Sequence, residues 1–180
     1  MALDLETRDQ LLSTIRRFVD ERLRPIEDQV SENDEVPEKI IQEMRDLGLF
    51  GISIPTEYGG LGLTMEEECL LLFELGRTSP AFRSVIGTNV GIGSQGIVMH
   101  GRQDQKEEWL PKLATGEAIA SFALTEPEAG SDAASLKTTA IREGDHYIVN
   151  GTKRYITNAA KASMFTLMAR TDPDTPGAKG

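Results

Sequence analysis

Two short stretches combine residue types that could act on a ligand. In SFALTEPEAGSD (Ser121–Asp132) an apolar run ends at Thr125 and passes into a loop. There Gly130, Ser131 and Asp132 can present successive backbone N–H groups to an anion such as a phosphate. In KRYITN (Lys153–Asn158) the aromatic Tyr155 stands two positions before the hydroxyl of Thr157. A flat redox-active ring needs apolar cover on its face, hydrogen-bond partners on its polar edge and dry surroundings. Phe122, Leu124, Thr125, Tyr155, Ile156 and Thr157 supply such a set if the two stretches lie together. The same residues also suit plainer purposes: Phe122 and Tyr155 as sheet core, the threonines as strand formers, Gly130 as a turn.

Other chemistry finds less support. Glu126 is adjacent to Thr125 and is the tempting general base, but a loop carboxylate beside an anion-binding turn is more simply a solvated or structural group, and Glu128 has still less in its favour. Thus no residue is assigned a catalytic role. Two separated histidines, His100 and His146, and the single Cys69 make no metal-ligand spacing. Cys69 reads as a small core residue within an apolar run.

These stretches must be positioned by the rest of the chain, where helical periodicity dominates the first two thirds. Apolar residues at Leu11, Leu12, Ile15, Phe18, Val19 and Leu23 form a helical stripe that Pro25 should kink or stop. Pro37 opens a second helix closed by Gly48. The connection LGLFGISIPTEYGGLGL is expected to be packed and irregular. Thr64 with Glu67 forms a capping-box pattern before Leu70–Leu75, and Ser79–Pro80 reads as an N-cap and first helical residue of a segment running toward His100. That segment carries Gly87, Gly91, Gly93 and Gly96, at a cost of about 1 kcal/mol each in a helix interior. Close approach by another helix or by a ligand chain would offset it. A last helix from about Asp104 to Ala114 places Trp109 and Leu113 on its buried side, with Pro111 bending it.

After Gly116 the period changes to alternation. Ala118–Thr125, Lys137–Arg142, Tyr147–Val149, Arg154–Thr157 and Met164–Ala169 read as five strands of an antiparallel sheet, with Gly144–Asp145 and Asn150–Gly151 as hairpin turns. The expected fold is therefore α+β: an all-α N-terminal domain over residues 1–116, then an antiparallel β domain over residues 117–180 that reads as incomplete, since a sheet of this size has exposed edges.

Composition excludes several classes. The chain has 180 residues, with 19 Lys and Arg against 29 Asp and Glu, a formal charge of −10. No basic stripe suited to nucleic acid is visible. No apolar stretch reaches the roughly 20 residues of a membrane span, and the first residues have neither signal nor transit character. A cytoplasmic protein is the expectation.

Four ordered blocks, GLFGISIPTEYGGLG, GRQDQKEEWLP, LTEPEAGSDAAS and DHYIVNGTKRYITN, resemble the acyl-CoA dehydrogenase family, and the likeness extends over essentially all 180 residues. The resemblance implies a helical domain and a β domain, with FAD held between the β domain and a C-terminal helical bundle. By the same resemblance Phe122 packs near the flavin, Leu124 and Thr125 meet its polar edge, and Thr157 points its hydroxyl toward flavin N5 beneath the cover of Tyr155 and Ile156. Ser131, with Gly130 alongside, contacts the cofactor pyrophosphate or the thioester arm of the substrate. The implied reaction is α,β-dehydrogenation of an acyl-CoA, with electrons passed to an electron-transferring flavoprotein and the full-length protein a homo-oligomer, tetramer or dimer. Family members are about twice as long, and their catalytic glutamate comes from the C-terminal bundle. Tyr155 stands where the family more often has Trp, which leaves shielding from oxygen less certain. A flavin oxidase or monooxygenase of the same superfamily, and a truncated non-catalytic fragment or partner subunit, therefore stay open.

Overall fold

The computed structural model describes residues 2–175 and 177–180. Helix α1 (Leu5–Phe18) starts where the Asp4 carboxylate accepts from Thr7 N at 2.8 Å. Pro25 kinks the chain without stopping it. A wide turn over Val19–Leu23 and a tight one over Arg24–Ile26 absorb the proline's missing N–H, and helix continues as α2 (Glu27–Asn33), a segment the periodicity did not reveal. Helix α3 (Glu38–Asp46) is closed by Gly48 in the left-handed region. The glycine-rich connection forms two short 3-10 turns, Leu49–Gly51 and Thr56–Tyr58. The expected capping box opens α4 (Met65–Leu75): Glu67 N donates to Thr64 Oγ1, and the Glu67 carboxylate accepts from Thr64 N at 2.8 Å.

Ser79 caps α5 (Pro80–Gly87). The helix then breaks, with Val90 at ψ 115° and Gly91 at φ 83°, before α6 (Gln95–His100). Helix α7 (Gln103–Thr115) runs through Pro111 and buries Leu110, Leu113 and Ala114, with Trp109 only half-buried. One core joins Ile15, Val19, Leu23, Met44, Phe50, Leu71, Phe82 and Ile86; a second, of Ile54, Leu110, Leu113, Ala114, Ala118 and Ala120, lies where the helices meet the first strand. The glycines of the α5–α6 region are explained in part by that strand. A Cβ on Gly93 would meet Thr88 O at 2.1 Å and Ala120 Cβ at 2.6 Å, so the close neighbour is a strand and not another helix.

The α+β succession holds, but the strands differ from expectation. Among the described residues there are four: β1 (Ala120–Ala123), β2 (Thr139–Glu143), β3 (His146–Asn150) and β4 (Met164–Leu167). β2 and β3 form an antiparallel hairpin across the predicted Gly144–Asp145 turn. β1 and β4 pair parallel, with Ala120 opposite Met164 and Ala123 opposite Leu167. The expected all-antiparallel sheet is thus corrected: the hairpin lies within a long crossover between two parallel strands. Arg154–Thr157 is not a strand, because Tyr155 and Asn158 adopt φ of 58° and 61° and turn the backbone out of any ladder. Asn150–Gly151 accordingly makes no hairpin. Cys69 is exposed, not core: with Met65 and Phe73 it occupies the ridge of α4 opposite buried Leu71 and Leu75.

Candidate functional site: two segments laid side by side

The two chemistry-bearing stretches lie together. Arg154 N donates to Thr125 O at 2.8 Å, and Ser121 Oγ donates to Thr157 O at 2.7 Å. Residues 121–125 and 154–157 therefore run past each other in opposite directions, while β4 holds the other edge of β1 and Met168 N donates to Ala123 O at 3.1 Å. Phe122, Leu124, Thr125 and Ile156 are half-buried; Thr157 is exposed, and Tyr155 is 77% exposed. The left-handed turn at Tyr155 swings its ring outward, where the Arg154 guanidinium sits 4.5 Å from the ring centre. The juxtaposition is as the sequence required, with an aromatic cover that faces solvent.

Beneath this face is a buried ion pair. Glu126 is 7% exposed, and its Oε1 accepts from Lys153 Nζ at 2.8 Å, Thr138 N at 2.9 Å and Thr138 Oγ1 at 2.5 Å, while Oε2 accepts from Lys137 N at 2.6 Å. Burial alone would push this carboxyl's pKa up; the Lys153 ammonium, the Thr138 hydroxyl and the two backbone N–H groups outweigh that and bring it down to about 2. Glu126 is consequently ionised near neutral pH with both carboxylate oxygens hydrogen-bonded, which suits a brace and makes it a poor general base there. Of the two readings open to it, structural or solvated, the structural one holds. Lys153 Nζ also donates to Leu124 O at 2.9 Å, so one ammonium ties both residues flanking Thr125 to the segment that precedes Tyr155. Lys153, Thr138 and Ser121 were not recognisable beforehand, since their partners lie far away in sequence and no local spacing connects them.

Gly130 and Ser131 are exposed on the loop that follows a turn in which Glu126 N donates to Ala129 O at 2.9 Å. A Cβ on Gly130 would meet nothing within 4 Å, so this loop is open to an approaching ligand. Just beyond it, Ala133 and Leu136 face Leu124, Met168 and Arg170 across a cleft of about 200 Å³. The Arg170 guanidinium closes one end by donating to Ala134 O at 3.1 Å and Gly177 O at 3.1 Å. Glu128 is exposed and pairs with Lys137, which holds its carboxyl below the usual range. His100 ends α6, and His146 contacts Asp145 beside the hairpin turn, both away from these segments.

The N-terminal domain of the acyl-CoA dehydrogenases matches residues 6–117, and the middle domain of the same family matches residues 121–180. The chain is similar to a probable acyl-CoA dehydrogenase of Mycobacterium tuberculosis, with 39% identity over 175 residues that cover 97% of this chain and 44% of that one. Among solved structures, glutaryl-CoA dehydrogenase from Mycobacterium smegmatis in complex with FADH2 superposes with a TM-score of 0.86 at 37% identity, over 94% of this chain and 44% of that one. The prolyl acyl carrier protein oxidase AnaB superposes with a TM-score of 0.84 at 32% identity, over 96% and 46%. The chain spans less than half the length of each. With both domain models in register and the two segments juxtaposed, the chain belongs to the acyl-CoA dehydrogenase family.

Proposed function

We propose that the protein to which these residues belong is an FAD-dependent acyl-CoA dehydrogenase, with a helical domain over residues 1–116 and a β domain from residue 117. The observation that carries this reading is the antiparallel contact of residues 121–125 with 154–157 through Arg154 N to Thr125 O and Ser121 Oγ to Thr157 O. It brings near one another the apolar, aromatic and hydroxyl groups that a flavin ring requires. Among the described residues the Thr157 side chain enters no hydrogen bond within the chain, and the loop at Gly130 is sterically open, so the set fits the group in question. The solved relative that holds FADH2 supports the same cofactor.

Phe122, Leu124, Thr125, Tyr155, Ile156 and Thr157 would then hold the ring, and Gly130 and Ser131 the pyrophosphate or the thioester arm. Bound FAD supplies a two-electron acceptor for the hydride leaving the β carbon of the thioester. The chain's own contribution is to orient and to exclude water: Thr125 and Thr157 offer hydroxyls at the polar edge, and Phe122, Leu124 and Ile156 provide a dry surface. Removal of the α proton falls to a group outside these residues, because the Glu126 carboxylate is engaged by Lys153 and Thr138. A homo-oligomeric assembly in the cytoplasm and an electron-transferring flavoprotein as acceptor complete the proposal.

One alternative is an oxidase that admits oxygen, and the similarity to an acyl carrier protein oxidase points that way. The test expresses the whole reading frame, loads FAD and adds saturated acyl-CoA thioesters of several lengths. Anaerobic bleaching of the flavin with little peroxide in air supports the dehydrogenase; stoichiometric peroxide supports the oxidase. Bleaching by no thioester, with FAD bound, refutes both.

A further inference from the structure

Thr157 is fixed from two sides. Its carbonyl accepts from Ser121 Oγ on β1 at 2.7 Å. Its neighbour Asn158 reaches across to the helical half, where Nδ2 donates to Ser84 O at 3.0 Å and to Thr88 Oγ1 at 2.8 Å, the latter at the C-terminal end of α5 where the helix breaks. To do so Asn158 holds a left-handed backbone at φ 61°, a conformation that asparagine tolerates better than most residues. The same break anchors the other two segments of this face. Asn89, fully buried, accepts from Ala120 N at 2.8 Å at the start of β1 while its amide donates to Leu113 O and Ala118 O. Gly93 O accepts from Thr166 Oγ1 of β4 at 3.0 Å. Three positions of one helix break, Thr88, Asn89 and Gly93, are thus keyed to Asn158, to β1 and to β4.

From this arrangement we propose that Asn158 is a positioning residue, which acts through Thr157 by locking the 155–158 turn onto α5 and so setting where the Thr157 hydroxyl stands relative to β1. It rests on the reading of Thr157 as a flavin-facing group. Asn158 itself is turned to the helices. Two amide hydrogen bonds in a partly buried site are worth enough to hold a turn, and their loss leaves the turn tied only at the Ser121 end. Displacing a group by as little as 1 Å at a reacting centre lowers rates while leaving distant substrate contacts intact.

The experiment uses the FAD-loaded protein of the whole reading frame and compares Asn158→Gly, Asn158→Asp, Thr88→Val and Thr157→Val. Asn158→Gly keeps the left-handed turn accessible and removes the donors; Asn158→Asp keeps the shape and removes the donors. The readouts are the visible absorption band of the bound flavin, the FAD dissociation constant, and kcat and KM for whichever of butyryl-, octanoyl- or isovaleryl-CoA the unaltered protein oxidises fastest. Both Asn158 variants are expected to lower kcat about tenfold, with KM changed less than about twofold, and to shift the absorption band in the direction that Thr157→Val shifts it. Thr88→Val, which removes one acceptor, should lower kcat about threefold by the same route, and it carries the test if the Asn158 variants do not fold. Thr157→Val effective with all the other variants silent overturns the positioning role alone. A loss confined to KM, or one that tracks only the fraction of protein left folded, overturns it too. If Thr157→Val leaves both spectrum and kcat unchanged, the flavin-facing reading of Thr157 has failed first.

Discussion

Replacing Glu126 by Gln is the substitution whose cost the structure specifies best. Gln is nearly isosteric, so packing is preserved, but the Glu126 carboxylate receives four donors: Lys153 Nζ, Thr138 Oγ1, and the backbone N–H groups of Lys137 and Thr138. An amide has one acceptor oxygen, so its NH₂ must face either Lys137 N or the Thr138 and Lys153 donors. The Lys153 ammonium, with its side chain only 11% exposed, then stays buried without a counter-charge. Breaking a buried pair by removing one partner costs about 3–5 kcal/mol, and we take about 3 because the loop above it is open to water. For a chain of this length that is a fall in Tm of roughly 6–12 °C. The assay is thermal unfolding of Glu126→Gln, Lys153→Met and the double variant, which should lose less than the sum because it leaves no lone charge. The pH dependence supplies a second check. Glu126 titrates at about 2 in the folded chain against an ordinary 4.5, so its contribution is complete above 4.5 and is lost as pH falls toward 2. Glu126→Gln should flatten that part of the acid limb. A Tm within a degree of the parent, or an unchanged acid limb, would refute the bracing role.

Three further outcomes are expected. Gly93→Ala should destabilise by more than about 2 kcal/mol, read by denaturant unfolding, because its Cβ would fall 2.1 Å from the Thr88 carbonyl oxygen, a backbone atom that cannot step aside. Thr64→Ala removes the hydroxyl of the capping box on α4 and should cost about 1 kcal/mol in the same assay. The 180-residue chain alone, supplied with FAD, a range of acyl-CoA lengths and a dye acceptor, should retain flavin poorly and show no turnover, since one face of the proposed site has no wall among the described residues. Turnover that survives Glu126→Gln would reveal a base outside this account.

What could be read beforehand followed the range of the physics. Helices announced themselves because their signals are local: Thr64 with Glu67, Ser79 with Pro80, and Gly48 and Gly116 at left-handed ends all fell where the spacing put them. Residues 154–157 misled because β-branched and aromatic composition speaks to side chains, whereas the conformation there is decided by the backbone at Tyr155 and Asn158 and by contacts to Ser121 and α5. The sense of the β1–β4 pairing was invisible for a related reason: alternation indicates a strand but carries no direction. Cys69 shows the limit of apolar runs, which mark a helix without saying which of its sides faces the core. The residues proposed to hold the ring were legible as types, and their assembly was not, because it depends on Lys153, Glu126 and Asn158 acting over long separations.

The parallel pairing of β1 with β4 has a bearing on how the molecule assembles. Nearly every residue discussed for the site, from Leu124 to Asn158, lies in the crossover between those two strands. Such a closure brings together parts of the chain far apart in sequence, and it carries a loop-closure cost that neighbouring helices do not face. The helical half can therefore collapse early while the crossover is still searching, and the face formed by residues 121–125 and 154–157 is expected to be among the last surfaces to acquire its shape. Pulse-labelled amide exchange during refolding would register this as protection at Met44 and Leu71 well ahead of protection at Arg154 and Met168.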